Sequence, residues 1–455
     1  MDFVRDCVAQ AHSDSMTAHK NPVGKTMRAA GFCTVIGLVA LIMVTAYKKG
    51  RESQTSASQS NVAANWPPQD HVLVPIDSIE SGDILNFRVA GSSMHPTFMG
   101  PTVRVRCEKC GIGSVVDPSF EQVADRNRIC ANCGGQLVHE DEIAPTEADV
   151  VQIEKVDFTQ SANTLRVGDV VAIRSATIEV RGSDSKPKIP VRLKRVAGVA
   201  GDTISVRNGR LLVNGKRLED VLHEMRVTPK AQLWVNIDFP GNSRWSPSSE
   251  SSGWQHLENP CGWRWSPDGS DKVDASEDWL VYHHQSVHDQ NRSSEVYDDY
   301  PLNVGVTRKM NPVDRLAVYC IPVCRGEFTL QVVFWTKDGN VAVKVDTGDG
   351  QKTSGSWYNT QPIALPSSPP ELSAQTPIAI RVVDPLPIKS FILDTMTVAR
   401  FNEYRLRRGD DSSVYPLTLG QDECFVVGDN VPVSIDSRET GPVAYRDLIG
   451  RAVSQ

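Results

Sequence analysis

The run 91–97, with the sequence GSSMHPT, places a serine on a short polar turn and offers a nucleophile for acyl transfer. A serine hydroxyl is a poor nucleophile at neutral pH, so it needs a positioned base. The chain has no G-x-S-x-G elbow. His95 lies only two residues from Ser93, and a cluster of three other histidines, His283, His284 and His288, lies far away in the sequence. The base for Ser93 must therefore come from another region of the chain.

Lys194 is the residue that we predict as this base. A lysine can accept a proton only when it is neutral, so burial must lower its pKa by several units from the reference of about 10.4. Lys194 lies in the strand-like run VRLKRV at 191–196. Successive side chains of a strand point to opposite faces. We therefore expect a buried Lys194 and a solvated Arg195, with Arg192 on the lysine face disfavouring the charged amine.

A third segment, 428–443, adds polar residues on turns near the end of the chain: GDN, SIDSR and GPV. Together with 91–98 (GSSMHPTF) and 194–202 (KRVAGVAGD), it makes the chain resemble the type I signal peptidases. These are membrane-bound Ser/Lys endopeptidases that remove signal peptides from exported proteins. The three segments occur in the family's order, and the resemblance implies an antiparallel β catalytic domain.

The resemblance also implies roles for single residues. Ser93 is the nucleophile, Lys194 is the general base, and the Ser93 backbone N–H donates to the oxyanion. Ser434 holds the Lys194 amine by a hydrogen bond. The family's substrates carry small residues at the first and third positions before the cut, which shallow apolar pockets select.

Four supporting residues surround this pair. Asp436 and Arg438 form an ion pair that braces the site, and we interpret them as scaffold rather than chemistry. Met94 helps to fix the turn that presents the serine. Gly91 stands where some family members place a serine as the second oxyanion donor and others carry glycine.

Two CxxCG pairs suggest a metal site next to the serine segment. Zinc takes four tetrahedral ligands, and a C-x-x-C turn aims two thiolates at one point. The pattern predicts a structural zinc ribbon, with two disulfides as the alternative in an oxidising compartment. The predicted ligands are Cys107, Cys110, Cys130 and Cys133. We expect no cofactor for catalysis.

The uncharged run 29–47 is long enough to approach the hydrocarbon thickness of a bilayer. We predict a permanent transmembrane helix, with a cleaved signal peptide or a buried core helix as alternatives. Lysine and arginine are balanced on its two sides, so charge does not decide orientation. The resemblance places the catalytic domain on the extracytoplasmic side.

The remaining sequence predicts a mainly β protein, because short β-branched runs alternate with turn residues. Eight of nine tryptophans lie at 234–357, in a region that resembles an inserted β-sandwich, and we expect them to fill its core. Net charge is −7 and there is no basic stripe, which argues against nucleic acid as a partner. The predicted order is an N-terminal tail (1–28), a transmembrane helix (29–47), a linker (48–69), a first catalytic stretch (70–106), a zinc ribbon (107–140), a second catalytic stretch (141–220), a β-rich insertion (221–412) and a third catalytic stretch (413–455).

The expected function is cleavage of signal peptides from preproteins through an acyl-enzyme. The expected partners are preprotein signal peptides and the lipid bilayer, with the secretion machinery as a further candidate. A self-cleaving peptidase of the repressor type also uses serine and lysine, but it lacks an anchor. The alternative from another class is an inactive, membrane-tethered binding protein that uses the β-rich insertion and the zinc ribbon.

Overall fold

Strands dominate the part of the chain that the structure describes, as the alternation of short apolar runs predicted. The computed structural model describes residues 74–75, 84–118, 128–140, 146–160, 164–174, 191–227, 232–258, 261–266, 277–300, 303, 309–324, 328–347, 355–358, 363–366, 370–383, 391–407, 409–410 and 412–453. The predicted membrane segment 29–47 lies outside these residues. Among the described residues, no helix has the length and apolar character needed to cross a bilayer.

The described strands fall into six sheets. Strands β1 to β11 are Val74–Pro75, Ile84–Arg88, Val103–Cys107, Gly113–Val116, Leu137–His139, Val150–Lys155, Val170–Arg174, Val191–Gly198, Thr203–Arg207, Arg210–Val213 and Lys216–Arg217. Strands β12 to β20 are Gln232–Ile237, Trp245–Pro247, Trp254–Glu258, Cys261–Trp265, Leu280–Tyr282, Gln285–Ser286, Arg292–Ser293, Leu316–Cys324 and Phe328–Phe334. Strands β21 to β28 are Val341–Thr347, Gly355–Tyr358, Ile378–Val383, Phe391–Phe401, Leu417–Thr418, Glu423–Val427, Val443–Ala444 and Leu448–Ala452. Helices α1 and α2 are Leu218–Glu224 and Ser437–Thr440, and two 3₁₀ turns are Val287–Asp289 and Tyr445–Asp447.

The largest sheet joins the three predicted catalytic stretches. Its strand order is β1-β2-β6-β28-β7-β8-β26-β27, so strands from the middle of the chain lie between strands from its two ends. Strand β8 pairs with β7 on one side and with β26 on the other. The serine turn follows β2, the lysine lies on β8, and the GDN segment follows β26. This sheet therefore brings the three segments of the family resemblance to one region.

A smaller sheet of order β11-β10-β9-β25 packs beside β26. Its central hairpin turns at Asn208 and Gly209, whose positive φ angles of 53° and 77° suit the Asn-Gly pair of a two-residue hairpin turn. Buried residues of this sheet, α1, β26 and the segment at 404–406 form one apolar core. This core supports the strand that leads into the GDN segment.

The β-rich region contains a six-stranded sheet (β14-β15-β24-β19-β22, with β12 on β24) and a five-stranded sheet (β13-β16-β23-β20-β21). Buried residues of both sheets form a single core, as in a sandwich. Four tryptophans belong to this core and are almost completely buried, which confirms the core interpretation for them: Trp245, Trp254, Trp263 and Trp265. Trp279 is also buried, but in a separate small cluster with Val333, Ala342 and Ala379.

Candidate active site

Ser93 lies on a tight turn that its neighbours anchor in the core. The Met94 side chain is 1% exposed and packs with residues of β2, β6, β7 and β8. The Met94 carbonyl accepts hydrogen bonds from the N–H groups of Thr97 and Phe98. Ser93 itself is buried, so its hydroxyl lies within the protein rather than on an open loop.

Lys194 reaches the serine hydroxyl directly. Its Nζ lies 3.0 Å from Ser93 Oγ and 2.8 Å from Ser434 Oγ, although these residues are 101 and 240 positions apart in the chain. Lys194 is 2% exposed, and its partner across the β7–β8 pair is the fully buried Val171. Burial disfavours the charged form of an amine, so a lysine in this setting can work as a base.

Gly428 is the position that allows this approach. A methyl group there would lie 2.1 Å from Ser434 Oγ and 2.6 Å from the Ser93 carbonyl oxygen. No side chain larger than hydrogen fits without displacing Ser434 or the serine turn. The glycine of the GDN segment therefore has a steric role that sequence reasoning did not recognise.

Asp436 and Arg438 form a bidentate ion pair in the interior. Arg438 Nε and Nη2 each donate to an Asp436 oxygen at 2.8 Å, and Gly428 N–H donates to the same carboxylate at 2.8 Å. Burial acts to raise the pKa of Asp436, but the Arg438 charge and these hydrogen bonds outweigh it and lower the pKa to about 2. Arg438 Nη1 also donates to the Arg405 carbonyl oxygen at 2.8 Å. The pair ties α2 to the strand end that carries Gly428.

Arg195 is buried, so the prediction that it is solvated was wrong. Its side chain is fully covered and makes a bidentate pair with Asp429, with Nε at 2.8 Å and Nη2 at 2.7 Å from the two carboxylate oxygens. Tyr404 OH and Thr97 Oγ1 also donate to Asp429. The alternation of the strand does separate Arg195 from Lys194, but a second layer of protein covers its face. The local sequence does not reveal the ion-pair partner of Arg195, because Asp429 is 234 residues away in the chain. Strand alternation alone therefore indicated a solvated side chain.

Asn430 connects the serine turn with the Ser434 loop. Its backbone N–H donates to the Ser93 carbonyl at 2.8 Å, and its Nδ2 donates to the Ser92 carbonyl at 2.9 Å. Its own carbonyl accepts the Ser434 N–H at 3.0 Å. The sequence suggested only that Asn430 shapes a turn. The structure adds that it holds the backbone on both sides of the Ser93 nitrogen.

Comparison with known proteins agrees with this geometry. Residues 121–250 and 391–455 match the family model described as Signal peptidase, peptidase S26. Two parts of the chain thus resemble the S26 signal peptidases, which confirms the predicted resemblance. The S26 family implies a serine peptidase. No curated protein matches the chain.

The S26 match covers less than half of the chain and includes Lys194, Ser434, Asp436 and Arg438. Ser93 lies before the first matched residue. Its place in the site is therefore supported by its sequence motif and by the contacts with Lys194 and Asn430 rather than by the match itself.

His95 does not take part in this S26-like arrangement. Its Nε2 accepts the Gly100 N–H at 2.9 Å, and burial lowers its pKa to about 3. A neutral ring whose Nε2 already accepts a hydrogen bond suits a role in the turn. The structure thus agrees with a base from elsewhere in the chain.

Oxyanion donors are the remaining component of a serine peptidase site. Within the described residues, the backbone N–H of Ser93 has no hydrogen-bond partner, so it is free to donate to a substrate. Gly91 is half-buried and its backbone packs against Gly100, where an added methyl group would lie 2.8 Å from the Gly91 carbonyl oxygen. The turn is thus compact on the side of Gly91, which carries no side-chain donor.

The four predicted metal ligands lie together beside the strands β3, β4 and β5. The sulfur atoms of Cys107, Cys110, Cys130 and Cys133 all lie within 4.8 Å of one another, and the four cysteines are free. A tetrahedral zinc site with Zn–S bonds of about 2.3 Å has sulfur–sulfur edges of about 3.8 Å. The Sγ–Sγ distances are 3.4 Å for Cys107–Cys133 and 3.8 Å for Cys110–Cys130, so this group fits a metal ion.

The backbone of each CxxCG pair is shaped for such a ligand set. Gly111 and Gly134 both have a φ of 70°, in the left-handed region that favours glycine. The Asn132 and Gly135 N–H groups point at the sulfurs of Cys130 and Cys133, each at 3.4 Å. These donors would stabilise thiolates, which is the form that binds a metal.

Proposed function

We propose that the protein is a membrane-anchored serine endopeptidase of the signal peptidase I type, which cleaves signal peptides from exported preproteins. The observation that carries this proposal is the contact of Lys194 Nζ with both Ser93 Oγ and Ser434 Oγ in a buried setting. The S26 match supports the reaction class. The engagement of His95 Nε2 by the Gly100 N–H fits a lysine base.

In the proposed mechanism, neutral Lys194 takes the Ser93 proton as Oγ attacks the scissile carbonyl carbon. The tetrahedral oxyanion accepts a hydrogen bond from the Ser93 N–H. Collapse of this intermediate expels the mature protein's amine, which receives the proton from Lys194. Water then attacks the acyl carbon with Lys194 again as base. The ester bond to Ser93 Oγ breaks as Oγ takes the proton back from Lys194, and the cleaved signal peptide leaves with a carboxylate.

Ser434 keeps the amine in line with the nucleophile. Its Oγ lies 2.8 Å from Nζ, so it can accept one amine hydrogen while the nitrogen lone pair is directed at Ser93. Asp436 and Arg438 hold the segment that carries Ser434. They act through position and do not exchange protons with substrate.

The remaining elements of the proposal concern location and partners. Residues 29–47 would anchor the chain, with the catalytic domain on the extracytoplasmic side, where exported preproteins emerge. The substrates would carry small residues at the first and third positions before the cut. The lipid bilayer and the secretion machinery would be the surroundings in which cleavage occurs.

We also propose that the four clustered cysteines bind a structural zinc ion. Their thiolate donors are those that zinc prefers in closed, tetrahedral sites. The ribbon strand β3 begins shortly after the serine turn, so its stability bears on the position of Ser93. The ion would take no part in peptide cleavage.

The test is a preprotein cleavage assay in detergent. Ser93→Ala and Lys194→Ala should each abolish cleavage, because one removes the nucleophile and the other its base. The exposed Ser249→Ala and Lys216→Ala are matched controls and should remain active.

Full activity in either catalytic variant would reject the Ser/Lys mechanism. Lack of cleavage by the wild type, together with no labelling of Ser93 by a serine-reactive signal-peptide probe, would favour an inactive binding protein instead.

A further inference from the structure

The β-rich region between the catalytic stretches contacts the loops of the candidate active site. Its last segment, after β24, makes several hydrogen bonds to them. Asn402 Nδ2 donates to the Asp429 carbonyl at 2.6 Å, and Arg407 Nη2 donates to the Ser434 carbonyl at 2.7 Å. The S26 match begins again at residue 391, so these contacts belong to the matched region of the chain.

One contact comes from the unmatched region. Asn303 pairs with Asn430 through both amide groups: Asn303 Nδ2 donates to Asn430 Oδ1, and Asn430 Nδ2 donates to Asn303 Oδ1, each at 2.9 Å. Both side chains are buried, at 8% and 2% exposure. A reciprocal amide pair uses a donor and an acceptor on each side, so it fixes the orientation of both amides.

Described residues close to Asn303 in the chain are held by the sandwich. Asn303 N–H donates to the Tyr300 carbonyl at 2.8 Å. Arg400, a buried residue of β24, donates to the carbonyls of Asp298 at 3.0 Å and Asp299 at 2.6 Å. Asn303 therefore has a fixed support within the sandwich.

The pair acts on the peptide group of the nucleophile. The second hydrogen of Asn430 Nδ2 is donated to the Ser92 carbonyl oxygen. That carbonyl belongs to the same planar peptide unit as the Ser93 N–H, and in a trans peptide the two point in opposite directions. Holding the Ser92 oxygen thus sets the direction of the Ser93 N–H.

We propose that Asn303 is a positioning residue that, through Asn430 and the Ser92 carbonyl, aims the Ser93 N–H at the oxyanion. The inserted β-sandwich would then be a working component of the peptidase site rather than an appended module. This inference rests on the proposed Ser/Lys function. Asn303 touches no substrate, so its effect should appear in the transition state and not in substrate binding.

The test compares Asn303→Ala and Asn303→Leu with wild type in the full-length protein. Leucine fills the space of asparagine but can make neither hydrogen bond. Misdirection of an oxyanion donor should lower kcat by about 10- to 100-fold in both variants. KM should stay within about twofold. Asn340→Ala, in a turn of the same sandwich, is the matched control and should keep full activity.

A second readout isolates the oxyanion donor. A peptide boronic acid with alanine at the first and third positions forms a tetrahedral adduct when Ser93 Oγ bonds to boron. Its inhibition constant should rise by about the same factor as kcat/KM falls. In an Asn430→Ala background, the Asn303→Ala change should add no further loss, because the residues act in series.

Rates are expressed per folded molecule, counted from the near-ultraviolet circular dichroism. Wild-type kcat in Asn303→Ala and Asn303→Leu would overturn the inference while leaving the Ser/Lys function intact. An effect on KM without an effect on kcat would also overturn the inference, because the Asn303–Asn430 pair would then serve substrate binding. Failure of both variants to fold would overturn it as well, because the pair would then serve general stability. Failure of the proposed function itself shows separately, as cleavage by wild type that does not depend on Ser93.

Discussion

Substitution of Gly428 by alanine tests the packing of the site with a single methyl group. The new carbon would lie 2.1 Å from Ser434 Oγ and 2.6 Å from the Ser93 carbonyl oxygen. Ordinary contact begins at 3.4 Å, so Ser434 Oγ would have to move by about 1.3 Å and the Ser93 carbonyl by about 0.8 Å. No functional group is removed by the change.

The expected effect on catalysis follows from these displacements. Lys194 Nζ is now 2.8 Å from Ser434 Oγ, and a shift of this size breaks the hydrogen bond. A misplacement of about 1 Å in catalytic groups costs on the order of 100-fold in rate. We therefore expect kcat to fall by about 100-fold or more. The free energy of unfolding should fall by about 1–3 kcal/mol, as overpacking in a close-packed interior does.

The assay is preprotein cleavage together with the rate of Ser93 labelling by an acyl probe, and thermal unfolding measures stability. Gly113→Ala is the matched control, because a methyl group there has only the Val105 carbonyl oxygen nearby, at 4.0 Å. If Gly428→Ala cleaved and was labelled within about twofold of the wild-type rates, close contact at position 428 would not be what aligns the two serines.

Two further predictions concern the ion pair and the cysteine cluster. Asp436→Asn leaves the buried Arg438 without its counter-ion and should lower the free energy of unfolding at pH 7 by about 3–5 kcal/mol in urea titrations, with the exposed Glu224→Gln as control. Since Arg438 lowers the pKa of Asp436 from 3.8 to about 2, the ionised carboxylate stabilises the protein above pH 3.8, and this stabilisation is lost as the pH falls through about 2. If the difference in free energy of unfolding between wild type and Asp436→Asn did not narrow on acidification, this assignment would be contradicted. The purified protein should contain one zinc ion per chain by metal analysis, and Cys110→Ser should lose most of it while Cys261→Ser, outside the cluster, retains it. Wild type without stoichiometric zinc would reject the zinc site.

The sequence predicted the strands and the reactive groups better than the tertiary contacts that bury residues around them. Strand β8 and the Asn-Gly hairpin follow from local alternation and turn chemistry, and the Ser93, Lys194 and Ser434 segments follow from motif order. The burial of Arg195 did not follow, because it depends on the distant Asp429 and Tyr404. Partners brought together by tertiary folding leave no local periodicity, so alternation alone indicated a solvated face.

Asn303 shows the same limit more clearly. Nothing in the sequence around it marks a functional residue, and its significance arises only from facing Asn430 across 127 positions of chain. Gly428 could have been suspected, since a glycine between a buried strand and a catalytic turn often marks close approach of another backbone. The contact with Ser434 and Ser93 could not be derived without the fold.

The path of the chain around the sandwich bears on how this protein can be shortened. Strand β10, shortly before the insertion, lies beside the segment that follows β24. Leu211 N–H donates to the Tyr404 carbonyl at 2.9 Å, and the backbones of Arg210 and Arg405 form an isolated antiparallel β-bridge. The chain shortly before the insertion and the chain just after β24 are therefore neighbours, which favours joining them with a short linker. A truncation that joined residue 220 to residue 413 would nonetheless delete Asn402, Tyr404 and Arg407, which secure the GDN and Ser434 loops. A minimal peptidase should therefore retain the chain from residue 402 onward. It would still lack the contact from Asn303, so its cleavage rate relative to the full-length protein would measure what the sandwich contributes to catalysis.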